Sequence, residues 1–154
     1  AALYDDWHAH AAKKYGPGHP AAVDLLASLG GVYLKAKRPE KAALGYDAAG
    51  KFGPAGAYWR DLVAARRKAG DPAALGGSLA SFGLNQLKQQ KWAAAEPVLR
   101  EALALRGKAM PDDWRTFNTR SMLGGALAGL GKEAEAEPLL ADGYAGLRAR
   151  AGSI

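Results

Sequence analysis

The chain has 154 residues, 49% hydrophobic and 23% charged, enough for one compact domain with its own core and too apolar for wholesale disorder. Its 35 Ala, 20 Leu and 20 Gly stand against only 4 Val, 1 Ile and 2 Thr, which leaves too little β-branched material for a substantial sheet and predicts an all-α fold. The net charge of +6 is spread along the chain, the absence of cysteine excludes disulfides and thiolate metal sites, and neither a membrane-length apolar run nor a signal peptide is visible.

The first predicted element is a helical stretch over residues 1–15. It carries His8 and His10, but a spacing of two points side chains in directions about 200° apart on a helix, so they read as surface residues rather than metal ligands. Asp5 and Asp6 are adjacent and cannot face one substrate together. After Gly16-Pro17-Gly18-His19-Pro20, residues 21–50 read as a helix pair. Leu26, Leu29, Gly30 and Tyr33 form the stripe of its first helix, Lys35 to Pro39 the turn, and Ala42, Tyr46 and Ala49 mark its second helix. The segment Gly50 to Gly56 predicts a break, followed by an extra helix over 55–69 with Trp59, Leu62, Val63 and Arg66 on one face. Its end, Arg66-Arg67-Lys68, is the one basic run. A solvated helix face explains it better than a nucleic-acid footprint, which needs a longer stripe interleaved with aromatics.

Residues 72–106 form a second pair, opened by Asp71 as N-cap with Pro72 at the first helical position and turned at Gln89 to Lys91. Ala95, Val98, Leu99, Ala102 and Leu103 line one face of its second helix. Residues 112–150 form a third, with a capping carboxylate at Pro111-Asp112, a left-handed C-cap at Gly131 and the stripe Ala136, Leu139, Leu140, Gly143, Tyr144 and Leu147. Pro97 and Pro138 are placed near the first turn of the second helices, where a missing N–H costs little.

The three pairs are copies of one template. Gly30, Ala42 and Ala49 are separated by 12 and 7 residues, and so are Gly83, Ala95 and Ala102, and again Gly124, Ala136 and Gly143. Tyr46, Leu99 and Leu140 each lie four residues after the second small position. Copies two and three are 41 residues apart and copies one and two 53, the surplus of about 12 being the helix at 55–69, read as a repeat that has lost one helix. Ala1 in place of Met fits a piece of a longer chain, so residues 1–154 are expected to be a single segment of a larger repeat array.

A helix pair of this length with small residues at its close contacts resembles the tetratricopeptide repeat. Copy one matches that consensus at Gly30, Tyr33, Ala42, Tyr46 and Ala49, and the longer period with Gly16-Pro17-Gly18-His19-Pro20 resembles the kinesin-light-chain-like subclass. Pro111 to Ser121, followed by Leu123-Gly124-Gly125 and Gly143-Tyr144, is similar to the last repeats of arrays attached to planctomycete serine/threonine kinases. Gln86, however, stands where copy two should carry an aromatic, and Trp7 where a small residue is expected.

The resemblance implies a right-handed α-solenoid of stacked antiparallel pairs, a non-catalytic cytoplasmic scaffold that binds a protein or peptide partner on its concave face, in the regulatory region of a signalling kinase. The concave positions are Leu34 and Lys35, then Leu84, Leu87 and Lys88, then Asn118 and Ser121. Lys35 and Lys88 are equivalent and could hold a carboxylate or backbone carbonyls, with Leu84 and Leu87 as an apolar floor. Trp114, Arg115 and Phe117 read as packing or as a rim site. No cofactor, metal or membrane is implied; a nucleic-acid-binding solenoid using the basic run is the alternative. The stretch Leu139 to Leu147 would be left open at the end of the stack and allow self-association.

Overall fold

The computed structural model describes His10, Lys13, Lys14, Ser28, residues 30–33 and residues 38–153. The expectations for the first helix with His8, for Trp7, and for Leu34 and Lys35 fall outside the described residues. Six α-helices lie wholly within the described residues: α1 (Pro39–Ala48), α2 (Phe52–Ala69), α3 (Pro72–Lys88), α4 (Trp92–Ala109), α5 (Trp114–Gly129) and α6 (Glu133–Ala149), closed by a 3-10 turn at Ala151–Ser153. Residues 30–33 are helical as well, and none of the described residues is in a strand. The chain divides into two compact units, Ala1–Leu62 and Val63–Ile154, with the division inside α2.

The helix boundaries follow from local chemistry. Asp71 accepts a hydrogen bond from the Ala74 amide at 3.0 Å and Pro72 opens α3, while α5 is capped by Asp113, which accepts from the Arg115 amide at 2.8 Å. The cap is therefore Asp113 and not Asp112. Three helices end in the same double-bonded turn. Lys51, Lys91 and Lys132 donate their amides to Tyr46, Gln86 and Leu127, and Gly50, Gln90 and Gly131 donate theirs to Asp47, Leu87 and Ala128. The second residue of each set has positive φ, +70° at Gly50 and Gly131 and +56° at Gln90.

Two local expectations are corrected. Helix α2 begins at Phe52, so Gly53 and Pro54 belong to its first turn, where the proline's missing N–H has no intrahelical partner to lose. Pro97 and Pro138 lie inside α4 and α6, beyond the first turn. The carbonyls they leave without an amide, those of Ala93 and Ala134, belong to exposed residues that water can reach.

In the first unit, Tyr46 of α1 lies on Gly30, where an added Cβ would come within 2.8 Å of its ring. Tyr46 also stacks on Tyr58 with ring centroids 5.8 Å apart, and Trp59 donates its indole N–H to Asp47 at 2.6 Å. In the second unit, α3 pairs with α4 and α5 with α6, each pair antiparallel. Leu99 lies on Gly83 and Leu140 on Gly124, at 2.5 and 2.7 Å from where a Cβ would stand. The contact between the first small residue and the side chain four after the second therefore recurs in all three copies. All nine template residues, Gly30, Ala42, Ala49, Gly83, Ala95, Ala102, Gly124, Ala136 and Gly143, are buried. Not every glycine packs: Gly31 and Gly125, beside these contacts, face open space.

Helix α2 keeps the register of a second helix. Its Ala55, Trp59 and Arg66 stand 40 residues before Ala95, Leu99 and Arg106. Arg66 donates to the Ala74 carbonyl at 2.9 Å and the Ser78 hydroxyl at 2.5 Å, and Arg106 does the same to the Arg115 carbonyl at 3.1 Å and the Thr119 hydroxyl at 2.8 Å. Ser78 and Thr119 are buried, as the partners of such a clasp must be. One apolar cluster joins Val63, Leu75, Leu79, Ala80 and Ala102, and a second joins Ala95, Leu99, Leu123, Ala126, Leu127 and Ala136. Among the described residues no helix is long and apolar enough to cross a membrane.

Candidate functional site

Helices α3 and α5, the first helices of their pairs, lie side by side in the second unit with a groove between them. Ala80, Ser81 and Leu84 line it from α3, and Trp114, Arg115, Asn118 and Met122 from α5, with Arg106 entering from α4; its volume is about 200 Å³. Helical periodicity sets these groups: 80, 81 and 84 share one face, as do 114, 115, 118 and 122. The Arg106 clasp fixes the first two turns of α5 against the end of α4, which holds Trp114 and Asn118 at the groove.

The groove mixes apolar surface, including Leu84 at 40% exposure, with the polar groups of Ser81, Arg106, Arg115 and Asn118. Ser81 and Asn118 make no side-chain hydrogen bond among the described residues. Arg115 is held by its own N-cap, donating Nε to Asp113 at 2.7 Å and a second guanidinium nitrogen at 2.8 Å. That pair keeps the Asp113 carboxyl well below the usual carboxylate range. Arg106 is different. Its guanidinium is partly buried, and among the described residues no carboxylate lies within ion-pair distance of it. Burial, with the Arg115 charge second, pushes its pKa down. The Asp113 carboxylate, engaged by Arg115, offsets that shift only in part, and a partly desolvated cation with no carboxylate in direct contact favours an incoming anion.

The sequence-derived positions divide sharply. Leu84 and Asn118 line the groove, and Lys88 is exposed one turn beyond Leu84. Leu87 packs instead against the cluster of Ala95, Leu99 and Leu123, so it is not a floor residue. Ser121 turns its hydroxyl to Gly143 of α6, where an added Cβ would overlap it, so it too points away from the groove. Leu34 and Lys35 fall outside the described residues. Trp114 and Arg115 border the groove, whereas Phe117 covers Gly146 beneath the guanidinium groups of Arg120 and Arg150, 4.9 and 4.2 Å from its ring centre. Arg106 and Met122 had no sequence signal: Arg106 belongs to a second helix, and a lone methionine carries no pattern.

The basic run does not form a free cationic surface. Arg66 is clasped to Ala74 and Ser78, as Arg106 is to Arg115 and Thr119, and Arg67 is neutralised by both oxygens of Glu101 at 2.8 and 2.6 Å. His10 is exposed, and no group of three metal-binding side chains occurs among the described residues.

No family model matches the chain, and no curated protein matches it. Solved structures do. A Podosopora anserina protein described as a putative kinesin light chain with nearly identical TPR-like repeats is similar at a TM-score of 0.63 and 18% identity, over 99% of this chain and 87% of that one. A substituted form of that same protein is similar at a TM-score of 0.61 and 16% identity with the same coverage. At this identity the likeness is one of fold, and the chain has the all-α helix-pair fold of TPR-like solenoids.

Proposed function

We propose that the chain is a non-catalytic binding module and that the face formed by α3 and α5 takes an extended protein segment bearing a carboxylate beside an apolar side chain. The observation that carries this reading is Arg106, a partly buried cation that lines the groove with no carboxylate of the described residues in direct contact. Leu84, Met122 and the Trp114 indole would receive the apolar side chain. Ser81 and Asn118, whose polar groups are unengaged, would hydrogen-bond the ligand backbone, and Lys88 extends the positive edge. The TPR-like fold supports the reading, since stacked rigid pairs offer a preformed surface on which a peptide loses its freedom but the protein loses little. Attachment to a signalling kinase rests only on the sequence resemblance of Pro111 to Ser121, Leu123-Gly124-Gly125 and Gly143-Tyr144.

The test is calorimetric titration with short peptides that pair Asp or Glu with Leu or Trp. Asn118→Ala and Leu84→Glu should each weaken binding about tenfold or more while leaving the melting curve in place, because an exposed or half-exposed site contributes little to folding. Equal binding by both variants would refute the groove. The nucleic-acid reading loses support because Arg67 is paired with Glu101; oligonucleotide affinity falling steeply with salt would restore it.

A further inference from the structure

We infer that α6 is a self-association surface on which a second copy of this chain docks antiparallel. Equivalent positions of three second-type helices, α2, α4 and α6, differ in what covers them. Trp59 and Leu99 are buried, whereas Leu140 is 39% exposed; Val63 is buried and Leu103 half-buried, whereas Tyr144 is 66% exposed. In α4 the cover is α5, through Leu123, Ala126 and Leu127. The surface of α6 is thus built like an interior one and is exposed among the described residues.

A further helix pair is a poor fit for it. Both α2 and α4 hold the helix that follows with an arginine at one register, Arg66 and Arg106, gripping a carbonyl and a buried hydroxyl. In α6 that register is occupied by Leu147, so the clasp is missing. A second copy fits better because the exposed stripe complements itself. Glu137, Ala141, Tyr144 and Arg148 follow at i, i+4, i+7 and i+11, within an arc of about 60°. All four are exposed, and the packed face of the helix, with Ala136, Gly143 and Gly146, lies away from them.

Turned end for end, the order acid, alanine, tyrosine, base becomes base, tyrosine, alanine, acid. Two antiparallel copies therefore bring Glu137 to the partner's Arg148 at both ends and Tyr144 to the partner's Ala141 on both sides of the axis. Neither Glu137 nor Arg148 has an ion-pair partner among the described residues. The acidic first turn and basic last turn of α6 favour the same direction. Such an interface closes on itself as a dimer and cannot grow. One helix from each side is a small contact, so the dimer is a concentration-dependent one. This inference is independent of the groove reading, since α3 contributes nothing to it.

Sedimentation equilibrium of the whole chain across a wide concentration range tests it. The expected result is a monomer–dimer equilibrium that Tyr144→Lys abolishes. Glu137→Arg alone and Arg148→Glu alone should each weaken dimerisation about tenfold, because each sets like charges against one another. Mixed in equal amounts, the two variants should recover a dimer, since the mixed pair has an acid opposite a base at both ends. A wild type that stays monomeric, growth beyond a dimer, single variants that dimerise like the wild type, or a mixture that stays monomeric would each overturn the inference. Unchanged melting curves would exclude unfolding as the cause, and Ala141→Glu provides a second disruption should Tyr144→Lys fold poorly.

Discussion

Phe117 of α5 lies directly over Gly146 of α6, with no room for a Cβ on the glycine. In the preceding pair the same two positions are Gly76 and Leu105, 41 residues earlier, and there the bulk sits on the second helix: a Cβ on Gly76 would stand 3.3 Å from Leu105. The contact is preserved in kind and reversed in direction. Small and large side chains need to alternate across a close helix pair, but either helix can supply the large one.

Replacing Gly146 by Ala should therefore cost about 1–3 kcal/mol, because the Phe117 ring, held under Arg120 and Arg150, must be displaced. Gly77→Ala is the control. Gly77 lies inside α3 with open space around it, and the substitution should stabilise by roughly 0.5–1 kcal/mol through helix propensity. Chemical denaturation of both variants checks the pair; a destabilising Gly77→Ala or a neutral Gly146→Ala would contradict the packing described.

Gln86 is a second point of stress. Its Oε1 is buried without a hydrogen-bond partner, while its template equivalents Tyr33 and Leu127 are buried apolar or aromatic residues. Gln86→Leu should raise stability by about 1 kcal/mol by removing an unsatisfied acceptor. An unfolding midpoint that moves down would show that the amide is satisfied in solution.

Gln90 holds a φ of +56° in a turn whose counterparts at Gly50 and Gly131 are glycine. Gln90→Gly should stabilise by up to about 1 kcal/mol, since the left-handed conformation costs a side-chain-bearing residue roughly 1–2 kcal/mol and glycine's extra freedom when unfolded offsets part of that. Thermal melts of the variant against the wild type give the sign directly.

The close contacts were the most legible part of the fold. Gly30, Gly83 and Gly124 must be small because Tyr46, Leu99 and Leu140 lie on them, and a constraint that strong leaves a spacing. The α5–α6 contact was illegible because Phe117 and Gly146 exchange the roles of Gly76 and Leu105, which erases the pattern. Half of the groove was legible, through Leu84 and Asn118 on first-helix faces. Leu87 and Ser121 were misplaced by about one position's rotation, which carries a side chain from the open face into the neighbouring helix. Arg106 reaches the groove from a second helix, beyond any periodicity argument.

An exposed network links α4 to the start of α6: Arg100 pairs with Glu96 at 2.9 Å and Glu135 at 2.8 Å, and Lys132 pairs with Glu96 at 2.8 Å. Hydrogen bonds from Lys132 and then Arg100 hold the Glu96 carboxyl below its ordinary value. A depressed carboxylate contributes stability above its unfolded pKa and loses it as pH falls through the folded value. Glu96→Gln should accordingly lower stability at neutral pH, and its difference from the wild type should shrink steadily on the acid side. A difference that grows with acidity would reverse the assignment.

The central claim, that the face of α3 and α5 is the binding surface, is tested most directly by mapping backbone amide shifts while an acidic, apolar peptide is titrated into the labelled chain. The account predicts that the perturbed amides gather at Ala80, Ser81, Leu84, Asn118 and Met122, with the side-chain signals of Trp114 and Arg106 moving alongside. Perturbations gathered instead at Arg66, Arg67 and Lys68, or absent from α3 and α5 altogether at saturating peptide, would contradict it.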